Sequence, residues 1–278
     1  MSKFTRQHSE FLRRQKVYEN KYKKQFYAYL QTVNNSAATA YANGSQDYNI
    51  HHNKLQAIYE RLYKDVTITE AEIQWYQFND TEVKQQKDLI DVFAGIFAPN
   101  NNDVPITLWR SLLNEFLTVR IAGRIAEVEQ TTRKRIASLI EKGIAEGLGA
   151  REVAKSIRED TQFNRNRSLT IARTETVTSA NQGRYMSALS SPYVKKKAWL
   201  PFADKRTRPT HLAMLDVPFV DMDQLFFLQN LKTGALESAR YPCDSSLSAG
   251  NVCNCRCLIV FVNKKDENGK LIRKTQRN

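Results

Sequence analysis

The densest set of reactive side-chain types lies in the last third of the chain. Asp204-Lys205-Arg206-Thr207-Arg208-Pro209-Thr210-His211 is followed by Tyr241-Pro242-Cys243-Asp244 and by Asn251-Val252-Cys253-Asn254-Cys255-Arg256-Cys257. Three chemistries fit these residues. Asp204, Arg206, Arg208 and His211 have the types for acid–base work and anion binding at a phosphodiester. A nuclease would also place further carboxylates to hold Mg²⁺, and this stretch offers none at helpful spacing. His211 with Cys255 and Cys257, and with Cys243 or Cys253 as a further thiol, has the donor set of tetrahedral zinc. The spacing is not the two-residue knuckle of a zinc finger, however, and thiols at i, i+2 are awkward for one ion; buried cysteines also serve as small apolar side chains. The third chemistry is structural: an Asp204–Arg–Thr207 network, strengthened by bidentate arginine, that pins two loops together. The structural reading is favoured because the rest of a catalytic constellation is missing.

Those segments must be held by the elements around them. Phe11, Val17, Tyr18, Tyr22, Phe26, Tyr29, Leu30 and Val33 recur near every 3.6 residues between Thr5 and about Asn34, predicting an amphipathic helix with a basic outer face. The small, polar stretch 36–53 predicts a loop or a broken helix. Helix resumes near 54–64, and Thr69 offers an N-cap for a helix over 70–97. Pro99 and the run Asn100-Asn101-Asn102-Asp103 form a break. A long helix is predicted from Ile106 to Glu146, with Leu108, Leu112, Phe116, Val119, Ile125, Val128, Ile136, Leu139, Ile140 and Ile144 on its apolar side. Gly147 and Gly149 stop it. Shorter helices follow over 150–159 and 167–189, and Pro192 closes the second. Beyond Pro192, residues 195–200 read as an entry strand and 253–262 as a terminal strand. A short helical piece near 209–215, a turn at 216–218 and a loop at 232–234 lie between them. Residues 264–278 read as a frayed tail.

The fold class expected is therefore α+β: a mostly helical N-terminal region followed by a smaller mixed α+β C-terminal domain. The divisions expected are 1–100 helical, 101–190 long helices, 191–263 an α+β core, and 264–278 a flexible tail. The chain of 278 residues is long enough to bury a real core. Lys and Arg number 42 against 29 Asp and Glu, a formal net charge of +13, which favours a polyanionic neighbour such as nucleic acid. Candidate phosphate contacts are Arg13, Arg14, Lys23 and Lys24, beside Lys16 and Lys21, and the run Arg133-Lys134-Arg135; basic faces of this kind are more often solvated surface. No apolar stretch reaches the roughly 20 residues of a membrane span, and no apolar run follows the charged N-terminus as a secretory signal would require. Folding in the cytoplasm and no membrane partner are the expectations.

Four separated blocks carry a resemblance. Ala172-Arg173-Thr174-Glu175-Thr176 with Asn181 and Gly183-Arg184 comes first, and Lys197-Ala198-Trp199 second. Asp204-x-Arg206-Thr207-Arg208-x-x-His211 is third, and Asn254-Cys255-Arg256-Cys257 is last. In this order, over about 147–262, they resemble the phage Mu F-like head morphogenesis proteins. Two departures stand out: no glycine follows His211 in Leu212-Ala213-Met214-Leu215-Asp216, and Cys243 and Cys253 add thiols. The resemblance implies a minor head protein of the virion, in the capsid interior or at the portal vertex after assembly in the host cytoplasm, that helps head assembly or acts in genome packaging or ejection. It also implies the portal protein and other head proteins as partners, with packaged double-stranded DNA beside them. The motif residues implied are Arg173, Glu175, Asp204, Arg206, Thr207, His211, Asn254, Cys255, Arg256 and Cys257. No catalytic residue and no cofactor are expected; zinc at His211, Cys255 and Cys257 is the alternative kept open. A buried Glu175–Arg256 ion pair is one further expectation. The competing classes are an enzyme, nuclease or toxin-like transferase, using the 204–211 loop, and a stand-alone DNA-binding protein.

Overall fold

The structure, a computed structural model, describes residues 3–78, 104–268 and 272–274. Helix α1 spans Lys3–Ala42 and α2 spans His52–Phe78. Helices α3 (Ile106–Ala145), α4 (Ala150–Arg158) and α5 (Thr161–Ser190) follow. Strand β1 is Lys195–Leu200, and a short helix α6 (Pro209–Leu212) runs into a 3₁₀ turn. Then come β2 (Val220–Asp221), β3 (Phe226–Gln229), β4 (Leu236–Ala239), α7 (Ala249–Val252) and β5 (Leu258–Asn263). The chain is α+β, with long helices first and small sheets last.

Several boundaries differ from the sequence reading, each for a physical reason. Helix α1 continues through 36–42 because Ala37 and Ala38 are buried there, so small residues serve close packing rather than a loop. Thr69 lies inside α2 and not at its start; its hydroxyl donates to the Asp65 carbonyl one turn back, an arrangement that satisfies threonine without breaking the helix. The continuation of that helix to 97 and the break at Pro99 fall outside the described residues. The buried stripe of α3 is Trp109, Leu113, Ile121, Ile125, Val128 and Ile136. Leu108, Val119 and Ile144, expected on the apolar side, are exposed. Gly147 ends α3 at φ +70°, with the Leu148 N–H donating to the Gly143 carbonyl at 2.9 Å, so the left-handed closure is met by glycine.

The larger correction concerns residues 253–257. They form a turn ahead of β5 rather than the start of a strand, with Asn254 at φ +57° and the Cys255 N–H bonded to the Val252 carbonyl. The tail expected to fray also returns: the Val194 N–H donates to the Ile272 carbonyl, and the Lys274 N–H to that of Pro192.

Two compact units emerge, and neither is consecutive in sequence. One comprises 1–15, 63–114 and 174–278; the other comprises 16–62 and 115–173. In the second unit, the Tyr29 hydroxyl donates to the Ile50 carbonyl and the Asn34 amide to that of Ile157. The first unit holds a three-stranded antiparallel sheet in the order β2-β1-β5 and a separate β3-β4 hairpin. Tyr185, Ala188, Tyr241, Ile259 and Phe261 form a core between α5 and that sheet.

Candidate functional site

Helix α5 and strand β5 set the frame, through side chains that the sequence motifs contain. β5 is an edge strand, and unpaired edges need cover. Asn181 supplies it: its amide nitrogen donates to the Cys257 carbonyl at 3.0 Å and its oxygen accepts from the Ile259 N–H at 2.9 Å. The Arg184 Nε donates to the Ile259 carbonyl, so α5 acts as a side-chain substitute for a further strand. Gly183 lets this helix approach α2, since a Cβ there would overlap the Thr67 carbonyl oxygen. Thr67 and Ser179 bond across the same contact at 2.8 Å.

Arg184 is fully buried, and burial pulls its guanidinium down to about 10. Its counter-charge is Glu70, at 3.8 Å, which also takes two bonds from Arg14 at 2.6 and 3.0 Å. Arg14 is therefore a structural ion-pair residue rather than a member of an open basic face. Glu70 and Asn181 were not assigned roles from sequence; a carboxylate within a helix announces nothing until the arginine packed on it is known.

The Asp204 loop is tied down by the turn at 253–257. Arg256 makes a bidentate pair with Asp204 at 2.6 and 2.8 Å, which holds that carboxyl well below the usual range. Asp204 also accepts from the Arg206 backbone N–H at 2.9 Å and from its exposed guanidinium at 3.3 Å. The Thr207 hydroxyl donates to the Phe202 carbonyl and meets Asp204 at 3.3 Å. Arg208 reaches the Cys253 carbonyl at 2.6 Å. The Arg256 guanidinium stacks on the Phe202 ring at 4.8 Å, and its carbonyl meets His8 Nε2 at 3.1 Å. Burial lowers the His8 pKa.

Arg256 thus pairs with Asp204 and not with Glu175. Glu175 accepts instead from the Tyr63 hydroxyl at 2.7 Å, while Thr174 accepts from the Asn254 N–H at 3.1 Å. In the other unit, Arg173 pairs with Glu19 at 3.1 Å.

His211 makes a different set of contacts. It is 1% exposed, and its Nδ1 lies 3.6 Å from the Cys255 sulfur and 3.5 Å from that of Cys257. Trp199 packs edge-on against the imidazole at 5.3 Å and against Phe226 at 5.7 Å. The Cys243 thiol reaches the Val252 carbonyl at 3.9 Å; the neighbouring Cys243 and Cys257 draw the Cys255 thiol pKa down, whereas burial pushes that of Cys257 up. Cys253 is partly exposed. Beside the cluster, Lys197 donates to the Arg240 carbonyl at 2.9 Å between the rings of Tyr185 and Phe226, and burial lowers it to about 8.

The basic candidates differ in their surroundings. Arg135 is bound to Asp160 at 2.8 and 3.0 Å and lies over Phe163. Arg133 is exposed over the Tyr48 ring, and Lys134, Lys24 and Arg13 are exposed, with Lys23 half-buried.

Residues 134–260 match the family described as Phage Mu protein F like protein. This stretch is a Mu F-like domain. The match begins ahead of Gly147, within α3, and takes in α4, α5 and the whole His211 cluster. Two curated proteins are similar to the chain. One is the uncharacterized protein YqbB of Bacillus subtilis, 27% identical over 139 residues, covering 49% of this chain and 44% of that protein. The other is the NAD(+)–arginine ADP-ribosyltransferase EFV of Enterococcus faecalis, 32% identical over 146 residues, covering 51% of this chain and 28% of that protein. The chain therefore spans less than half the length of either. No solved structure matches it at a significant level. No helix among the described residues is long and apolar enough to cross a membrane.

Proposed function

We propose that this protein acts in phage head morphogenesis as a minor head component. A few copies would sit at or near the portal vertex, with exposed basic residues toward packaged DNA. The observation that carries the reading is the match of 134–260 to the Mu F-like family. The geometry of the domain supports a structural role. Asp204 is engaged by Arg256, Arg206 and Thr207, and His211 turns its Nδ1 to thiols. An acid–base pair needs its partners within hydrogen-bond reach of one another or of substrate. Here the two side chains best suited to that work serve separate networks.

The transferase name of one relative supports the enzyme reading only weakly, because the alignment leaves most of that protein outside it. A non-enzymatic role is the reading the domain favours. Deleting the gene in the producing phage and imaging the particles tests it. Aberrant or empty heads, restored by the wild-type gene in trans, are expected; normal, infectious heads would refute the role. Glycohydrolase, transferase or nuclease turnover by the purified chain, lost in His211→Ala with the fold intact, would favour the enzyme class.

A further inference from the structure

We infer that His211, Cys243, Cys255 and Cys257 form a closed structural zinc site that ties the loops of the Mu F-like domain to its sheet. Zinc bound to thiolates at about 2.3 Å and to imidazole at about 2.0 Å, with tetrahedral angles, sets sulfur and nitrogen about 3.5 Å apart. The Nδ1–sulfur distances are 3.6 and 3.5 Å. His211, Cys255 and Cys257 place their donor atoms within 4.8 Å of one another, all three residues buried. Cys243 is fully buried and lies outside that group of three; drawn in beside Cys255, its thiol would supply the fourth donor of a closed site.

Hydrogen bonding alone does not account for the arrangement. An imidazole Nδ1 offers one lone pair or one proton, yet two sulfurs converge on it. The opposite nitrogen, Nε2, is buried with no hydrogen-bond partner among the described residues. If Nδ1 ligates a metal, Nε2 carries the proton, as the neutral ring requires. Donors also gather on the sulfurs. The Cys257 N–H points to the Cys255 sulfur at 3.4 Å, and the Trp199 indole N–H, which lies by Cys257, finds no oxygen acceptor among the described residues. Such contacts suit thiolates bound to a cation better than apolar filler.

The backbone makes the i, i+2 spacing workable. In an extended strand these sulfurs would stand apart, but the turn at 253–257, with Asn254 at φ +57°, brings both to one point. Cys243 sits at φ +63°, a conformation unfavourable for a side chain and one that a required ligand position explains. The stretch between β1 and β5 also needs a staple. Its strands have two, four and four residues and its helices four each, too short to hold themselves by pairing or packing.

The test is metal analysis of the full chain purified under reducing conditions, followed by cobalt substitution. About one zinc per chain is expected, as one closed site demands, with an absorption spectrum of tetrahedral cobalt bearing thiolate charge-transfer bands. Chelation should lower the melting temperature, and zinc should restore it. His211→Cys should keep the metal, since four thiolates also suit zinc, whereas His211→Ala should lose it. A folded chain free of metal, whose melting temperature ignores both chelator and zinc, would overturn the site. So would a Cys243–Cys255 disulfide in the intact mass. Because these measurements read metal and not assembly, they stand or fall apart from the head-morphogenesis reading.

Discussion

At the residue scale, the unit that holds the sheet is organised by charges that are buried in pairs. Glu70 carries the largest share, because Arg14 and the fully buried Arg184 both depend on it. Glu70→Gln leaves a buried guanidinium uncompensated and should cost about 3–5 kcal/mol, measured by urea denaturation; a change under about 1 kcal/mol would contradict the pairing. Glu72, two residues on, is not paired in this way. Burial raises its carboxyl to about 7, with Arg110 opposing. The folded state then holds a proton that the unfolded chain releases near 4.5, so stability is lost as pH rises from about 4.5 through about 7. Glu72→Gln should melt above the wild type at pH above about 7, with the gap closing at acid pH. A gap independent of pH would show that the carboxyl does not titrate across folding.

At the element scale, α5 does two jobs, and each rests on a residue whose purpose shows only in three dimensions. Gly183→Ala drives a methyl into the Thr67 carbonyl of α2 and should destabilise by about 1–3 kcal/mol, with repacking rather than a cavity as the cause. Asn181→Ala leaves a carbonyl and an N–H of the β5 edge without partners, at about 1–3 kcal/mol for each buried group. Hydrogen exchange should show the Ile259 amide exchanging faster; unchanged protection would mean that the edge is covered by something else.

The helices themselves were legible, because Tyr22, Phe26, Tyr29, Leu30 and Val33 repeat at the helical period and are all fully buried. Strand β1 was legible too, at its observed limits. What failed were places where tertiary packing overrode local preference. Ala37 and Ala38 extended a helix through apparent loop composition, and Thr69 served inside a helix instead of capping one. The alternating cysteines read as strand because alternation is a strand's signal, yet a left-handed Asn254 turned the segment. The motif blocks identified which residues assemble but not their partners: Arg256 was matched to Glu175 when the loop carrying Asp204 lay against it.

At the scale of the whole molecule, the net charge of +13 includes arginines already held in ion pairs. Arg14 and Arg135 are committed to Glu70 and Asp160, whereas Arg13, Lys24, Arg133 and Lys134 stay open to solvent. If the protein meets DNA through the open group, affinity should fall linearly with the logarithm of salt concentration. Each alanine at Lys24, Arg133 or Lys134 should then reduce the slope by about one without changing sequence preference. Replacing Arg135 should instead lower stability and leave the slope unchanged; equal effects from all four positions would argue against the division. The central claim, however, is that the Mu F-like domain belongs to a protein of the phage head. Quantitative mass spectrometry of purified virions and of unpackaged procapsids tests it most directly. The account predicts the chain in mature virions at low copy, comparable to the portal protein. Absence from both particles would contradict it.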